Sequence, residues 1–252
     1  MATRIRFVVF SPEPAMAEPI ISIRGLSNTY VSRSFGLLGK KEIKPVLNNV
    51  NLDIAPGEIV GLTGETGCGK TTLARCILGL VHYEGEIIIE GRRQQNSGKS
   101  NPPYGPVQMI FQDPGASLNP AIKIGRLLEE PLVINRTGTA RQRSLKVAET
   151  LARVGLDPSY KTRRVHELSG GQKQRICIGR ALIGDPKILI ADEAVSSLDV
   201  SAGAQILNLF RELRECLALT VLFISHNADS VEYLCDRVAV MQNGRISKTL
   251  EL

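Results

Sequence analysis

Short apolar runs separated by polar turns set the pattern of this chain. Residues 20–23 and 46–54 read as strands, the second followed by the turn pair Pro56-Gly57. Between them, residues 32–44 are polar and rich in glycine and lysine, which predicts a loop. Residues 58–62 form a short apolar strand that runs into a glycine loop. A helix is expected over 71–80, with Leu73, Ile77 and Leu80 at helical spacing. Residues 85–91 give a strand bounded by glycines, 92–106 a polar loop and 107–111 another strand.

From about 120 to 168 the periodicity turns helical and predicts a helical subdomain. Thr139 is a candidate N-cap there, with Val147, Leu151 and Val154 on one face and Gly155 as the stop. Strands and helices then alternate. A helix is expected over 169–183, an apolar strand over 188–191, a helix marked by Ile206, Phe210, Leu213 and Leu217, and a strand over 220–224. Residues 238–241 and 245–248 flank Asn243-Gly244, the turn pair of a tight hairpin. Fully apolar strands alternating with helices argue for an α/β fold with a parallel sheet covered on both faces. No internal repeat is visible.

At 252 residues the chain is one large domain or two small ones, and its core needs neither metal nor disulfide. No apolar run approaches the ~18 residues of a membrane span, so the chain is not itself a pore. Cys68, Cys76, Cys177, Cys216 and Cys235 are odd in number and lack C-x-x-C spacing, which reads as reduced thiols in a cytosolic protein. The start, MATRIRFVVFSPEP, has an apolar patch of only four residues, whereas a secretory signal needs about 7–15. Residues 1–18 read as a disordered tail, and Met16 offers a second candidate start. The net charge of +6 is concentrated between residues 141 and 180, where ten Lys/Arg face three acids. A solvated helical face, acidic lipid headgroups or an acidic partner surface would each accommodate that surplus. With 4% aromatic residues and no Trp, a platform for stacking nucleic-acid bases is not expected.

Three motifs carry chemistry. Gly64-Glu65-Thr66-Gly67-Cys68-Gly69-Lys70-Thr71 matches the phosphate-loop pattern G-x4-G-K-[ST], between an expected strand and an expected helix. Such a match arises by chance in roughly one chain in a hundred of this length. Its glycines let backbone N–H groups converge on phosphate oxygens, and the helix start adds positive potential. Lys70 supplies a charge for the β- and γ-phosphates and Thr71 a hydroxyl for Mg²⁺. The apolar strand at 188–191 ends in Asp192 and Glu193. An acid at the C-terminal end of a parallel strand faces the ligand crevice, so Asp192 can hold Mg²⁺ and Glu193 can take a proton from an attacking water. Ser169 and Gln172 fit a capping box at a helix start. Gly170 and Gly171 weaken that start by roughly 1 kcal/mol each, which points to close approach of backbone amides to an anion. A second anion nest in one domain suggests a nucleotide held by another subunit.

GETGCGKT, FQDP, LSGGQKQR, ILIADEAVSSLD and FISHN, in this order, resemble the nucleotide-binding domain of ATP-binding cassette (ABC) proteins. The resemblance spans about 19–250. It implies a RecA-like core with a mostly parallel sheet, an N-terminal antiparallel β region and a helical subdomain. It also implies a head-to-tail dimer that sandwiches each ATP between one phosphate loop and the partner's LSGGQ turn. On this resemblance Gly64, Glu65, Thr66, Gly67, Cys68, Gly69, Lys70, Thr71 and Thr72 form the phosphate and Mg²⁺ loop, the side chain of Cys68 being a bystander. Gln112 is the glutamine that contacts Mg²⁺ and links hydrolysis to a membrane partner. Ser169, Gly170, Gly171 and Gln172 close on the ATP of the opposite subunit. Asp192 is the Mg²⁺-associated acid, Glu193 the general base, Asp199 the aspartate of the loop beyond it, and His226 the switch histidine at the γ-phosphate. Tyr30 matches the aromatic that stacks on adenine. Asn227 stands where most members carry Asp, Ala194-Val195 where Pro-Thr is commoner, and Thr66 where Ser is usual. None of these removes a required charge or hydroxyl, so hydrolysis is expected.

Within that family, FQDPGASLNP, EEPL at 129–132 and DEAVSSLDVSAGAQILNL are similar to oligopeptide, dipeptide and nickel importers. The basic loop FGLLGKK at 35–41 resembles the second ATPase subunit of such importers. The implied assembly is peripheral to the cytoplasmic face of the membrane. It comprises a sister ATPase, two permeases and an extracytoplasmic binding protein, with a homodimer as the other arrangement. No nucleic acid is implied. Peptides and nickel or metal chelates both stay open as cargo. A soluble ABC-type switch is the alternative, but those relatives insert long modules, and only 98 positions separate Thr71 from Ser169. A nucleotide-binding regulator without turnover would not need Glu193.

Overall fold

The computed structural model describes residues 18–33, 41–94 and 105–252. The expectations for residues 1–17, the Met16 start and the basic loop at 35–40 lie outside the described residues. Two sheets organise the chain. The first is antiparallel, with strand order β2-β1-β4-β5, built from β1 (Ile21–Arg33), β2 (Lys41–Ile54), β4 (Glu84–Ile89) and β5 (Arg92–Arg93). The second comprises β3 (Ile59–Gly64), β6 (Val107–Ile110), β7 (Ile188–Asp192), β8 (Thr220–Ile224), β9 (Arg237–Gln242) and β10 (Arg245–Glu251). Its order is β10-β9-β3-β8-β7-β6, parallel throughout except for the β9–β10 hairpin. Asn243 and Gly244 turn that hairpin with φ of 49° and 74°, as the Asn-Gly pair predicts.

The central strands are buried on both faces, and their side chains alternate between two cores. Leu189, Ala191, Val221 and Phe223 face one cluster, which also holds the helices that follow β6. Ile188, Ile190, Leu222 and Ile224 face the other, shared with the antiparallel sheet and with helix α1 (Lys70–Ile77). This is why the strands read as unbroken apolar runs.

The expected loop over 32–44 is shorter than its composition suggests. β1 and β2 pair out to Arg33↔Lys41, a ladder of mostly polar residues carried by the backbone. The helix expected over 71–80 ends early because Gly79, at φ 69°, takes the left-handed position of a Schellman cap. There Leu80 N–H donates to Arg75 O and Gly79 N–H to Cys76 O, both at 2.9 Å.

Between β6 and β7 the chain is helical. α2 (Pro114–Ser117), α3 (Ile124–Ile134) and α4 (Ala140–Arg153) are followed by tight turns at Pro158–Thr162 and Val165–Glu167, then by α5 (Gly170–Leu182). Thr139 caps α4 in a full capping box with Gln142. Val147, Leu151 and Val154 are buried. The remaining helices are α6 (Val200–Leu217) and α7 (Ala228–Leu234). Among the described residues no helix is long and apolar enough to cross a membrane.

Candidate functional site

β3 delivers Gly64 to the carboxyl edge of the parallel sheet, where the chain turns through 65–69 into α1. Gly64 and Gly69 have φ of 148° and 114°. A Cβ on Gly64 would stand 2.2 Å from Met241 O, and one on Gly69 2.8 Å from Leu47 Cδ2. Glycine is required at both because the loop is pressed against β9 and β2. The hairpin turn backs the loop directly: Gly244 N–H donates to Cys68 O at 3.1 Å, and Asn48 N–H to Gly244 O at 2.8 Å. Cys68 is buried, so its side chain faces inward. No side chain caps the start of α1. Its first amides therefore point at the loop without a side-chain acceptor among the described residues, the arrangement that receives a phosphate. Lys70 Nζ folds over the loop and donates to Gly64 O (2.8 Å) and Glu65 O (3.0 Å).

The acids arrive together at the end of β7, the next strand but one from β3. Thr71 Oγ1 donates to Asp192 Oδ2 at 3.0 Å. Burial pushes the Asp192 carboxyl above its usual value, partly offset by the Thr71 hydroxyl and the Lys70 ammonium. Glu193 follows with φ 52°, a left-handed conformation costly for a non-glycine residue, held by its N–H to Ile224 O at 3.0 Å. His226, just past β8, places Nδ1 2.9 Å from Glu193 Oε1. Glu193 Oε2 is buried and stands 2.8 Å from the same His226 Nδ1, so the ring nitrogen faces both carboxylate oxygens. Asn227 caps α7, its Oδ1 accepting from Ser230 N–H at 2.8 Å, which is the capping work an Asp would do.

The donor set at Thr71 and Asp192 fits Mg²⁺: hydroxyl and carboxylate oxygens, 3.0 Å apart, with the carboxylate short of solvation. Among the described residues no three His, Cys, Asp or Glu side chains converge. The protein therefore offers part of an oxygen shell, as a site shared with phosphates does. Gln112 lies two residues beyond β6, exposed at the same sheet edge. A groove of about 650 Å³ opens beside it, lined by Leu78, Ile89, Met109, half-exposed Phe111 and Arg180. Tyr30 stands exposed on β1, paired with Lys44 of β2.

The Ser169 turn is built as a second, separate cradle. Ser169 Oγ accepts from Gln172 N–H (3.3 Å), and Gln172 Oε1 accepts from Ser169 N–H (3.0 Å). Among the described residues, the box leaves the amides of Gly170 and Gly171 and the Ser169 hydroxyl proton as donors without an acceptor at the tip of α5. Asp199 caps α6, its Oδ1 accepting from Ala202 N–H at 2.8 Å. A groove of about 510 Å³ joins Ser169, Gly171, Gln172, Arg175 and Asp199. No residue of the phosphate loop lines it. The motifs thus gather into two clusters, one around Lys70, Asp192 and Glu193 and one around Ser169. The residue overlooked by motif reading is Tyr160, which touches Gln172.

A glycine loop between strand and helix, with an acid pair on the next strand but one, defines a phosphate-loop nucleotide-hydrolysing core. The family model described as ABC transporter matches residues 47–196. A putative peptide import ATP-binding protein of Brucella ovis is 45% identical over 240 residues, covering 90% of this chain and 71% of that protein. The glutathione import ATP-binding protein GsiA of Pectobacterium atrosepticum is 44% identical over 92% of this chain, which spans 38% of its length. Among solved structures, the dimeric cassette MJ0796 bound to ADP and Pi superposes with a TM-score of 0.77 at 27% identity, covering 92% of this chain and 98% of that one. CbiO1 of Clostridium perfringens, part of the transporter complex cbiONQ, gives 0.79 at 27% identity over 93% and 89% of the two chains. The chain belongs to the ABC transporter family and is one of its ATP-hydrolysing cassettes.

Proposed function

We propose that this chain is the ATPase subunit of a peptide-class ABC importer. Relatives that are named for peptide and glutathione import support that cargo class over nickel chelates. The chain would sit at the cytoplasmic face of the membrane, paired with a sister cassette, two permeases and an extracytoplasmic binding protein. The groove beside Gln112, with half-exposed Phe111, is assigned to the permease contact.

Lys70 and the amides of the phosphate loop bind the β- and γ-phosphates, and Tyr30 stacks on adenine. Thr71, Asp192 and Gln112 would hold Mg²⁺, which neutralises charge on the transferred phosphoryl group. Glu193 takes the proton of the attacking water, and His226 fixes the carboxylate through Nδ1 while contacting the γ-phosphate. The observation that carries the reading is the separation of two anion cradles. One has a lysine and an acid pair, while the other presents a capped helix tip beside Arg175 and Asp199, in a groove the first does not enter. Two copies of such a surface, or one copy and a sister, complete each other when they meet head to tail.

In the assembled complex Glu193→Gln keeps ATP binding while hydrolysis falls about 100-fold or more. Hydrolysis at the unsubstituted rate would overturn the base assignment. Vesicles carrying the complex should take up short peptides with ATP inside the compartment that the cassettes face. Uptake of nickel but not peptides would overturn the cargo class.

A further inference from the structure

We infer that Tyr160 is a positioning residue for the Ser169 turn, bracing Gln172 so that the tip donors stay aligned. The inference rests on the reading that this turn meets ATP held by a neighbouring cassette.

The amide of Gln172 is committed at both ends within its own chain. Its Oε1 closes the capping box on Ser169 N–H, so its Nε2 points the other way, and it donates to Tyr160 Oη at 3.0 Å. Ser169 N–H, a donor only, selects the amide orientation that keeps the box closed, and the phenol holds the amide there by accepting from its Nε2. With the box closed, the Gln172 amide proton occupies Ser169 Oγ, and the Ser169 hydroxyl proton and two glycine amides face outward. A rotated Gln172 would offer an NH₂ group to Ser169 N–H, donor against donor, and the tip would lose its geometry.

Tyr160 is well placed to act as a brace. It sits in the tight turn Pro158–Thr162, whose start is capped by Asp157 Oδ1 accepting from Ser159 N–H at 2.8 Å. The Arg163 guanidinium lies 3.9 Å from the centre of its ring. The ring is half-buried against the core cluster of the helical region. Arg163 O in turn accepts from Ile124 N–H at 3.0 Å, so the brace is anchored to the start of α3. One hydrogen bond thus carries the position of the helical region to the donor tip.

The test measures ATP-driven association of full-length cassettes, this chain together with its sister, with Glu193→Gln holding the closed state. Adding Tyr160→Phe keeps the ring and its Arg163 contact but removes the hydroxyl. The ATP concentration for half-maximal association should rise about three- to tenfold, the effect of one net hydrogen bond. The affinity of the separate chain for ATP should not change, because the phosphate loop is untouched. In a Gln172→Ala background, Tyr160→Phe should add nothing further. An unchanged midpoint, tighter association, an additive effect, or loss of ATP binding by the separate chain would each overturn the positioning role. If Glu193→Gln cassettes with Tyr160 intact never associate with ATP, the two-cassette reading itself falls, and the brace with it.

Discussion

Asp192 carries its charge where little water reaches it. Burial raises its folded pKa above the ordinary 3.8, so the native state binds the proton more tightly than the unfolded chain. Stability therefore falls as pH rises from 3.8 through the raised value, and the full cost is present at neutral pH. Asp192→Asn removes that cost while keeping an oxygen for the Thr71 hydroxyl. The nucleotide-free variant should melt higher at neutral pH, the gap should close below about pH 4, and ATP hydrolysis should be lost. Calorimetry across pH checks the first two outcomes. The Thr71–Asp192 pair was legible because two motifs with known chemistry imply a shared cation. The Glu193–His226 contact joins residues 33 apart, and only the return of β8 beside β7 brings them together. Tyr160 was not legible, since a tyrosine in a polar turn carries no periodic or motif signal.

Helices with local start signals were readable, and strands defined by distant partners less so. Thr139 and Gln142 sit three apart and cap each other, so sequence spacing alone identifies the start of α4. Thr139→Ala should cost about 1 kcal/mol and lower the melting temperature by roughly 2–4 °C, without changing ATP hydrolysis per folded molecule. Thermal denaturation followed by circular dichroism measures it. The polar ends of β1 and β2 escaped the pattern because their pairing is set by backbone partners across the ladder. α7 escaped because only Val231 and Leu234 are buried in its seven residues, too few for a period.

At the scale of the whole molecule, the glycine loop is backed by both sheets, Gly69 against Leu47 of β2 and Gly64 against Met241 of β9. MgATP at a hundredfold excess over its dissociation constant should add ~2.7 kcal/mol, a rise of roughly 5–10 °C in melting temperature. Lys70→Ala should abolish that rise, and differential scanning fluorimetry with and without MgATP decides it. The alternation of apolar strands and helices made the parallel sheet legible, but strand order was not, and the order has its own effect. β3, which carries the lysine loop, lies between β8 and β9, and Gly244 N–H supports the loop at Cys68 O. A ribosome delivers residues 59–64 early and their two flanking strands almost last. Throughout most of translation that segment waits unpaired on both edges. A nascent chain stalled before residue 244 therefore lacks the amide that supports the lysine loop at Cys68 O.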